Sequence, residues 1–374
     1  MKRDKLVEYI CSVCLCVILF FNLFVLDIFS NKIIFAGLLL VYLIVLLAFV
    51  KGKKVSNKDK KKVTILMVAF AGLHILFLYI VGIFAGFYKN PISFSMSELF
   101  NRILPISAII IISEIIRWIF VTKEDKKLTT IGTIGLFLVD ICLYINMYNK
   151  FNLEEVLALV GYVGLASIST NLLCNYTVKR YGFLPNILYR IITAIYIYVL
   201  PILPDIYLFF QSVFRIIYPY VIYLMLDFAF TTEEFKVALK SQKTNGITIV
   251  FGIIIAFSMV LLVSCEFKYG IMVVGSSSMT GSVDKGDAVI FERYDGQLLK
   301  EGQIIIFNKD DVQTIHRIED IQVLNGDTIY YTRGDNNQQR DEGYRMAKDI
   351  YGVVKFKVVY IGWPTIWLKD MFSN

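Results

Sequence analysis

Apolar runs about twenty residues long alternate with short lysine-rich connectors through the first two thirds of the chain. The pattern then changes to short β-branched runs separated by turn residues. A run of about twenty apolar residues wound as an α-helix matches the roughly 30 Å hydrocarbon core of a bilayer. Nine such runs are read as membrane helices, at about 6–29, 33–50, 63–87, 102–121, 128–149, 153–175, 185–203, 206–230 and 246–265. Pro201 and Pro204 mark a short hairpin or a re-entrant turn between the seventh and the eighth. The first run is too long for a secretion leader and lacks a small-residue exit site, so no cleavable signal is expected. From residue 266 the runs IMVVG (271–275), DAVIFE (287–292), QIIIFN (303–308), VQTIHRIEDI (312–321), TIYYTR (328–333) and IYGVVKFKVV (350–359) predict strands.

The expected organisation is a polytopic helical membrane region over 1–245, an anchor helix over 246–265 and a small all-β domain over 266–374. The tail GWPTIWLKDMF is too short to span, and Trp363 and Trp367 suit the headgroup region.

Composition agrees with the membrane reading. Hydrophobic residues make up 57% of the chain, above the roughly 45–50% of soluble domains. Only 18% are charged, so the excess apolar surface must face lipid. Residues 266–374 hold 13 basic and 16 acidic residues, a net of −3, whereas residues 1–265 hold 25 and 15, a net of +10. The basic residues sit in connectors, where they set topology, and no nucleic-acid partner is expected. Residues 51–62 alone carry seven lysines. Placing the amino terminus inside puts that loop, Lys123–Lys127, Lys179/Arg180 and Lys236/Lys240/Lys243 on the cytoplasmic side. Nine crossings then put 266–374 outside.

Glu114 and Arg117, one helical turn apart, read as an i,i+3 ion pair. Asp140, Arg190 and Asp227 read as charges snorkelling near helix ends. His74 reads as a buried helix contact. No internal repeat marks a transporter. Cys11, Cys14 and Cys16 lie in an apolar run with no second ligand pair and read as packed or lipid-facing thiols rather than a metal site. The β domain holds no internal cysteine, since Cys265 stands at its edge, so no disulfide framework is expected.

Three patches of the β domain carry candidate chemistry: GSSSMTGSVDKGD (275–287), His316–Arg317 within a strand, and RGDNNQQRDE (333–342). His316 is the domain's only histidine. A serine hydroxyl is a poor nucleophile until a base takes its proton, and histidine suits that task. A carboxylate then fixes the imidazole tautomer and stabilises the imidazolium. Asp335 and Asp341 are the candidates. This chemistry asks for neither metal nor nucleotide, so no cofactor is expected.

These segments resemble type I signal peptidase, and within it the endoplasmic-reticulum type that uses Ser, His and Asp. The family reads Ser-Met-Glu-Pro followed by Gly-Asp; here Ser278–Met279 leads to Gly286–Asp287. His316–Arg317 stands where the ordinary bacterial branch places a lysine, and Gly334-Asp335-Asn336-Asn337 matches the family's last box. The resemblance implies Ser278 as nucleophile, His316 as base, Asp341 as the triad carboxylate and Asp335 as a supporting one. It implies an oxyanion hole from the Ser278 backbone N–H and the Ser276 hydroxyl, and a substrate strand added along Ile271, Met272, Val273 and Val274, with small residues selected at −1 and −3. Thr280 and Gly281 replace the family's acidic residue and proline.

The resemblance covers only the last third and says nothing of the first eight helices. The implied partners are signal-peptide-bearing preproteins, lipid and the secretion translocon; the lysine- and isoleucine-rich composition suits a prokaryotic plasma membrane, and the count of crossings puts the catalytic domain outside. The competing expectation is a polytopic, transporter-like or recruiting body bearing a non-catalytic signal-peptide-binding β domain. A lysine dyad through Lys285 or Lys309 is a second alternative, although neither stands at the base position.

Overall fold

The computed structural model describes residues 2–23, 31–92, 95–148, 152–231, 246–309, 312–324, 326–363 and 365–366. Contacts divide the chain into two units, Met1–Phe257 and Ser258–Asn374.

The first unit is helical. Among the described residues the chain forms nine helices: α1 (Lys2–Phe21), α2 (Lys32–Phe49), α3 (Lys60–Ala85), α4 (Met96–Val121), α5 (Lys126–Tyr144), α6 (Leu153–Tyr181), α7 (Leu184–Val199), α8 (Leu208–Thr231) and α9 (Gly246–Val263). By length and composition, α2, α3, α4, α5, α6 and α8 are long and apolar enough to cross a membrane. In α2 a stripe of Phe35, Leu39, Leu43 and Leu46 is buried at helical spacing. Its other faces expose Leu38, Val41, Ile44 and Val45, an apolar surface suited to lipid rather than water. A two-stranded ribbon, β1 (Phe87–Lys89) with β2 (Ile202–Pro204), connects through extended chain where the prolines of 201 and 204 prevent helix.

The basic connectors gather at one end of this bundle. Lys123 pairs with Glu8 at 2.6 Å, Tyr9 donates to Asp125 at 2.8 Å, Lys53 N donates to Thr122 Oγ1 at 3.1 Å and Asn57 donates to the Arg180 carbonyl at 3.1 Å. The connector with Lys236, Lys240 and Lys243 lies outside the described residues.

Two of the embedded charges depart from the snorkelling expectation. Arg190 is buried and bonds Glu114 at 2.6 Å and Asp140 at 2.5 Å, while Arg117 bonds Glu114 at 3.0 Å. Asn186 bonds Glu114, Asn175 bonds Arg117 and Ser167 bonds Asp140, so four helices share one network. A helix end would have let Arg190 and Asp140 reach water separately; Arg190 instead sits mid-helix in α7, where only a partner satisfies it. Asp227 does sit at a half-exposed site, against Arg180 at 3.3 Å.

The second unit is a seven-stranded antiparallel sheet of β3 (Tyr269–Val273), β4 (Ala288–Arg293), β5 (Ile304–Lys309), β6 (Val312–Leu324), β7 (Asp327–Arg333), β8 (Arg345–Met346) and β9 (Ile350–Val358), in the order β3-β4-β9-β5-β6-β7-β8. Two apolar clusters fill it. One gathers Val274, Met279, Val283, Phe291 and Ile306; the other gathers Leu299, Ile305, Phe307, Ile318 and Val353. Trp363 packs over Gly286, where a Cβ would meet its indole nitrogen at 2.3 Å. Trp367 lies outside the described residues.

Candidate active site

The segment after β3 is closed at its base by Val274 N donating to Asp287 O at 2.9 Å and Gly286 N donating to Val274 O at 3.0 Å. The buried Asp287 carboxylate accepts from Asp284 N and from Tyr360 N, each at 3.1 Å, and so fixes both flanks. Inside the loop Ser282 N and Val283 N both donate to Met279 O, which makes one helical turn. Met279 is 1% exposed and enters the core. That anchor leaves Ser278, one residue earlier, half-buried on the rim.

His316 is delivered by β6, where it pairs in register with Ile305 of β5. It packs edge-on against Phe307, with ring centroids 6.0 Å apart. Its Nε2 lies 3.2 Å from Ser278 Oγ, and its Nδ1 lies 2.6 Å from Asp341 Oδ2. The His316 and Asp341 side chains are each 8% exposed, so the interaction is shielded from water. Asp341 is held twice by Thr332: its N–H donates to the Thr332 carbonyl at 2.9 Å, and the Thr332 hydroxyl donates to Oδ2 at 2.6 Å.

Asp335 lies apart from the imidazole. It accepts a two-pronged bond from Arg317, Nε to Oδ1 at 2.9 Å and Nη2 to Oδ2 at 2.6 Å. Arg317 also donates to the Gly302 carbonyl at 2.7 Å and to Ser282 Oγ at 2.9 Å. The guanidinium holds the Asp335 carboxyl below the ordinary carboxylate range, against the opposing effect of partial burial. Asp335 thus ties the 334–337 loop to β6 and to the nucleophile loop. Asn336 N completes the clasp by donating to the Ser278 carbonyl at 2.8 Å.

Ser276 Oγ stands 3.3 Å from Ser278 Oγ. Among the described residues nothing accepts the Ser278 backbone N–H. The strand with Ile271, Met272 and Val273 is an edge, paired only with β4, and Val274 follows it. Because Val274 N points to the β4 side, antiparallel alternation turns the Ile271 and Val273 backbone groups to the open edge. The Ile271 carbonyl already accepts the Cys265 thiol at 3.3 Å, which leaves Val273 as the open position.

A profile of the signal peptidase family, peptidase S26, matches residues 246–348. The catalytic subunit SEC11C of the signal peptidase complex from Homo sapiens is 28% identical over 120 residues, covering 29% of this chain and 62% of that protein, and so is its Canis lupus familiaris counterpart. The SEC11 subunit of Lachancea thermotolerans is 30% identical over 112 residues, covering 27% of this chain and 66% of that protein. The C-terminal domain is similar to signal peptidase domains of the endoplasmic-reticulum type. The matched stretch spans less than two thirds of the length of these relatives.

One departure of this signal peptidase domain from the family pattern has a visible consequence. Gly281, where the family places proline, has φ +102° and donates its N–H to Asp284 Oδ1 at 3.0 Å. Proline has neither that φ nor that hydrogen, so the nucleophile loop here closes on Asp284 in a way that the family residue forbids.

Sequence reasoning did not single out Thr332 or the anchoring part of Met279, and it named Gly334 only as part of the last box. Thr332 lies on the inward face of β7, a position that period-2 alternation marks as buried but not as polar-bonded. Gly334 sits so close to the site that a Cβ would meet Ser278 O at 2.7 Å and His316 Nε2 at 2.9 Å.

Proposed function

We propose that the chain is a membrane-bound serine endopeptidase that removes signal peptides from exported preproteins after small residues at −1 and −3. The observation that carries this reading is the run Ser278 Oγ–His316 Nε2–Asp341 within a signal peptidase domain, at 3.2 Å and 2.6 Å. His316 takes the Ser278 proton as the hydroxyl attacks the scissile carbonyl, then returns it to the leaving amine. Asp341, bonded to Nδ1, keeps the tautomer that leaves Nε2 free to accept. The developing oxyanion is received by the Ser278 N–H and the Ser276 hydroxyl. The signal peptide lies as an added strand on the β3 edge beside Ile271, Met272, Val273 and Val274. Asp335 acts through Arg317 to hold the loop rather than by touching the imidazole. The aligned nucleophile and base favour catalysis over a domain that only binds signal peptides.

In this reading the basic connectors are cytoplasmic, nine crossings place the peptidase domain outside, and the helical region meets lipid, preprotein and the translocon. The decisive experiment measures cleavage of a preprotein reporter by the full chain in proteoliposomes. Ser278→Ala and His316→Ala should each abolish cleavage while leaving membrane insertion intact. Wild-type processing by Ser278→Ala would sink the proposal.

A further inference from the structure

The helical unit holds a cavity of about 80 Å³ lined by both polar and apolar side chains. A single water occupies roughly 10–15 Å³ on the same measure, so the space admits a cluster of waters or one small ionic group, not a whole lipid or a peptide. Six helices line it, from α3 to α8. Its charges do not balance. Arg190, on the wall, is matched by Glu114 and Asp140, and Arg117 shares Glu114, so that network of two cations and two anions is neutral. Arg215 adds a further cation. It stacks on the Tyr162 ring at 4.2 Å, and among the described residues no carboxylate pairs with it.

Uncommitted polar groups surround that cation. His74 lines the cavity and is 6% exposed, yet its Nδ1 finds no partner. Its ring is walled by Phe214 and Tyr218, at 5.0 Å and 5.3 Å. The Tyr144 and Thr170 hydroxyls also line the space, and no group among the described residues accepts from them. The two helices that bring in Arg215 and Tyr162 are both irregular there. Pro219 lies inside α8 one turn after Arg215 and leaves the Arg215 carbonyl without its helical donor. Val160–Leu165 of α6, which contains Tyr162, is wound as a π-helix, a distortion that recurs at functional sites.

An unpaired cation within an apolar bundle is costly, and an anion is the group that relieves the cost. The geometry points to a phosphate-binding site in the membrane-embedded body, with Arg215 as the charge and Tyr162, Tyr144, Thr170 and His74 as surrounding bonding groups. Phosphate suits the cavity because a guanidinium fork bonds two of its oxygens while hydroxyls around it bond the others. The phosphate is either free or the headgroup of an anionic lipid whose tails remain in the bilayer. The site is separate from the peptidase chemistry and does not depend on it.

The test uses the full chain, purified and stripped of lipid. Two probes are applied: radiolabelled inorganic phosphate in detergent, and vesicles of phosphatidylcholine with or without phosphatidylglycerol, read by bound phosphorus and thermal stability. The wild type is expected to bind one probe, with Arg215→Gln weakening it roughly tenfold to a hundredfold, the effect of losing a charge-assisted fork. Tyr162→Phe should weaken it several-fold. Binding of inorganic phosphate assigns the free ion; stabilisation by phosphatidylglycerol alone assigns the lipid headgroup. Should Arg215→Gln fail to fold, Arg215→Lys, which keeps the charge and loses the fork, takes its place in both arms. Equal phosphorus and equal thermal response in the wild type and these variants would overturn the site.

Discussion

Gly334→Ala tests the proposed site without removing any reacting group. A Cβ on Gly334 would meet Ser278 O at 2.7 Å, Asn337 Nδ2 at 2.8 Å and His316 Nε2 at 2.9 Å. The Asn337 amide is a side-chain end and can rotate away. The Ser278 carbonyl is backbone, clasped by Asn336 N at 2.8 Å, and the imidazole is held by Asp341 at 2.6 Å. Ordinary contact begins near 3.4 Å, so the carbonyl or the 334–337 loop must shift by about 0.7 Å, and the imidazole by about 0.5 Å. Gly334 carries no positive φ, so the substitution strains space and not the backbone. Misplacement of reacting groups by about 1 Å costs on the order of 10²-fold in rate. The expectation is therefore a fall in kcat of about tenfold to a hundredfold, with KM nearly unchanged because the β3 edge is untouched. The assay is cleavage of a preprotein reporter in proteoliposomes over a range of substrate concentrations, with the thermal midpoint of the same preparation measured alongside. Cleavage within twofold of wild type at an unchanged midpoint would refute the geometric account of the site.

Asp341→Asn should lower kcat by about 10⁴-fold, since the imidazole loses the partner that fixes its tautomer; a loss no larger than that of Asp335→Asn would show that the carboxylates have been assigned the wrong way round. Asp335→Asn should instead lower thermal stability and raise reporter KM as the clasp through Arg317 loosens, read from melting curves and initial rates. Because Arg317 depresses the folded-state Asp335 carboxyl, that pair stabilises the fold above the unfolded pKa of about 3.9 and loses its effect as pH falls below it. The thermal midpoint should drop more steeply below about pH 4 in the wild type than in Asp335→Asn, and parallel curves would contradict this. Gly281→Pro, which restores the family residue, should destabilise the domain by about 1–3 kcal/mol through the lost N–H bond to Asp284 and the forbidden φ; urea unfolding that matched wild type would count against the loop description.

The helical region illustrates what one-dimensional periodicity leaves out. Run length located each helix in the described residues, although α4 begins and α6 ends six residues from the expected positions, because hydropathy is summed along a segment and needs no knowledge of neighbours. From sequence, Arg190 and Asp140 read as snorkelling because each helix, taken alone, offers a buried charge only its own ends. The network that satisfies them draws on α4, α5, α6 and α7, and which helices adjoin is not a property of any one of them. The same holds for the cavity beside Arg215.

The two carboxylates of the peptidase domain show where legibility stops, and why. The resemblance picks out Ser278 by its place before Met279, and His316 stands out as the domain's only histidine. Asp335 and Asp341 both lie in an irregular polar stretch, whose path neither a 3.6 nor a 2.0 period describes. What separates them is the pleat of β6. Consecutive residues of a strand face opposite sides, so His316 and Arg317 cannot share a partner, and each takes one acid. His316 takes Asp341 at 2.6 Å, on the buried side where Thr332 also donates to it. Arg317 takes Asp335 through two bonds on the half-exposed side. The dipeptide therefore divides two roles that a loop composition confounds: one carboxylate orients a base, while the other fastens the loop that carries Gly334 against the nucleophile. If this division is right, exchanging the order of His316 and Arg317 should abolish both functions at once, although every residue type would still be present.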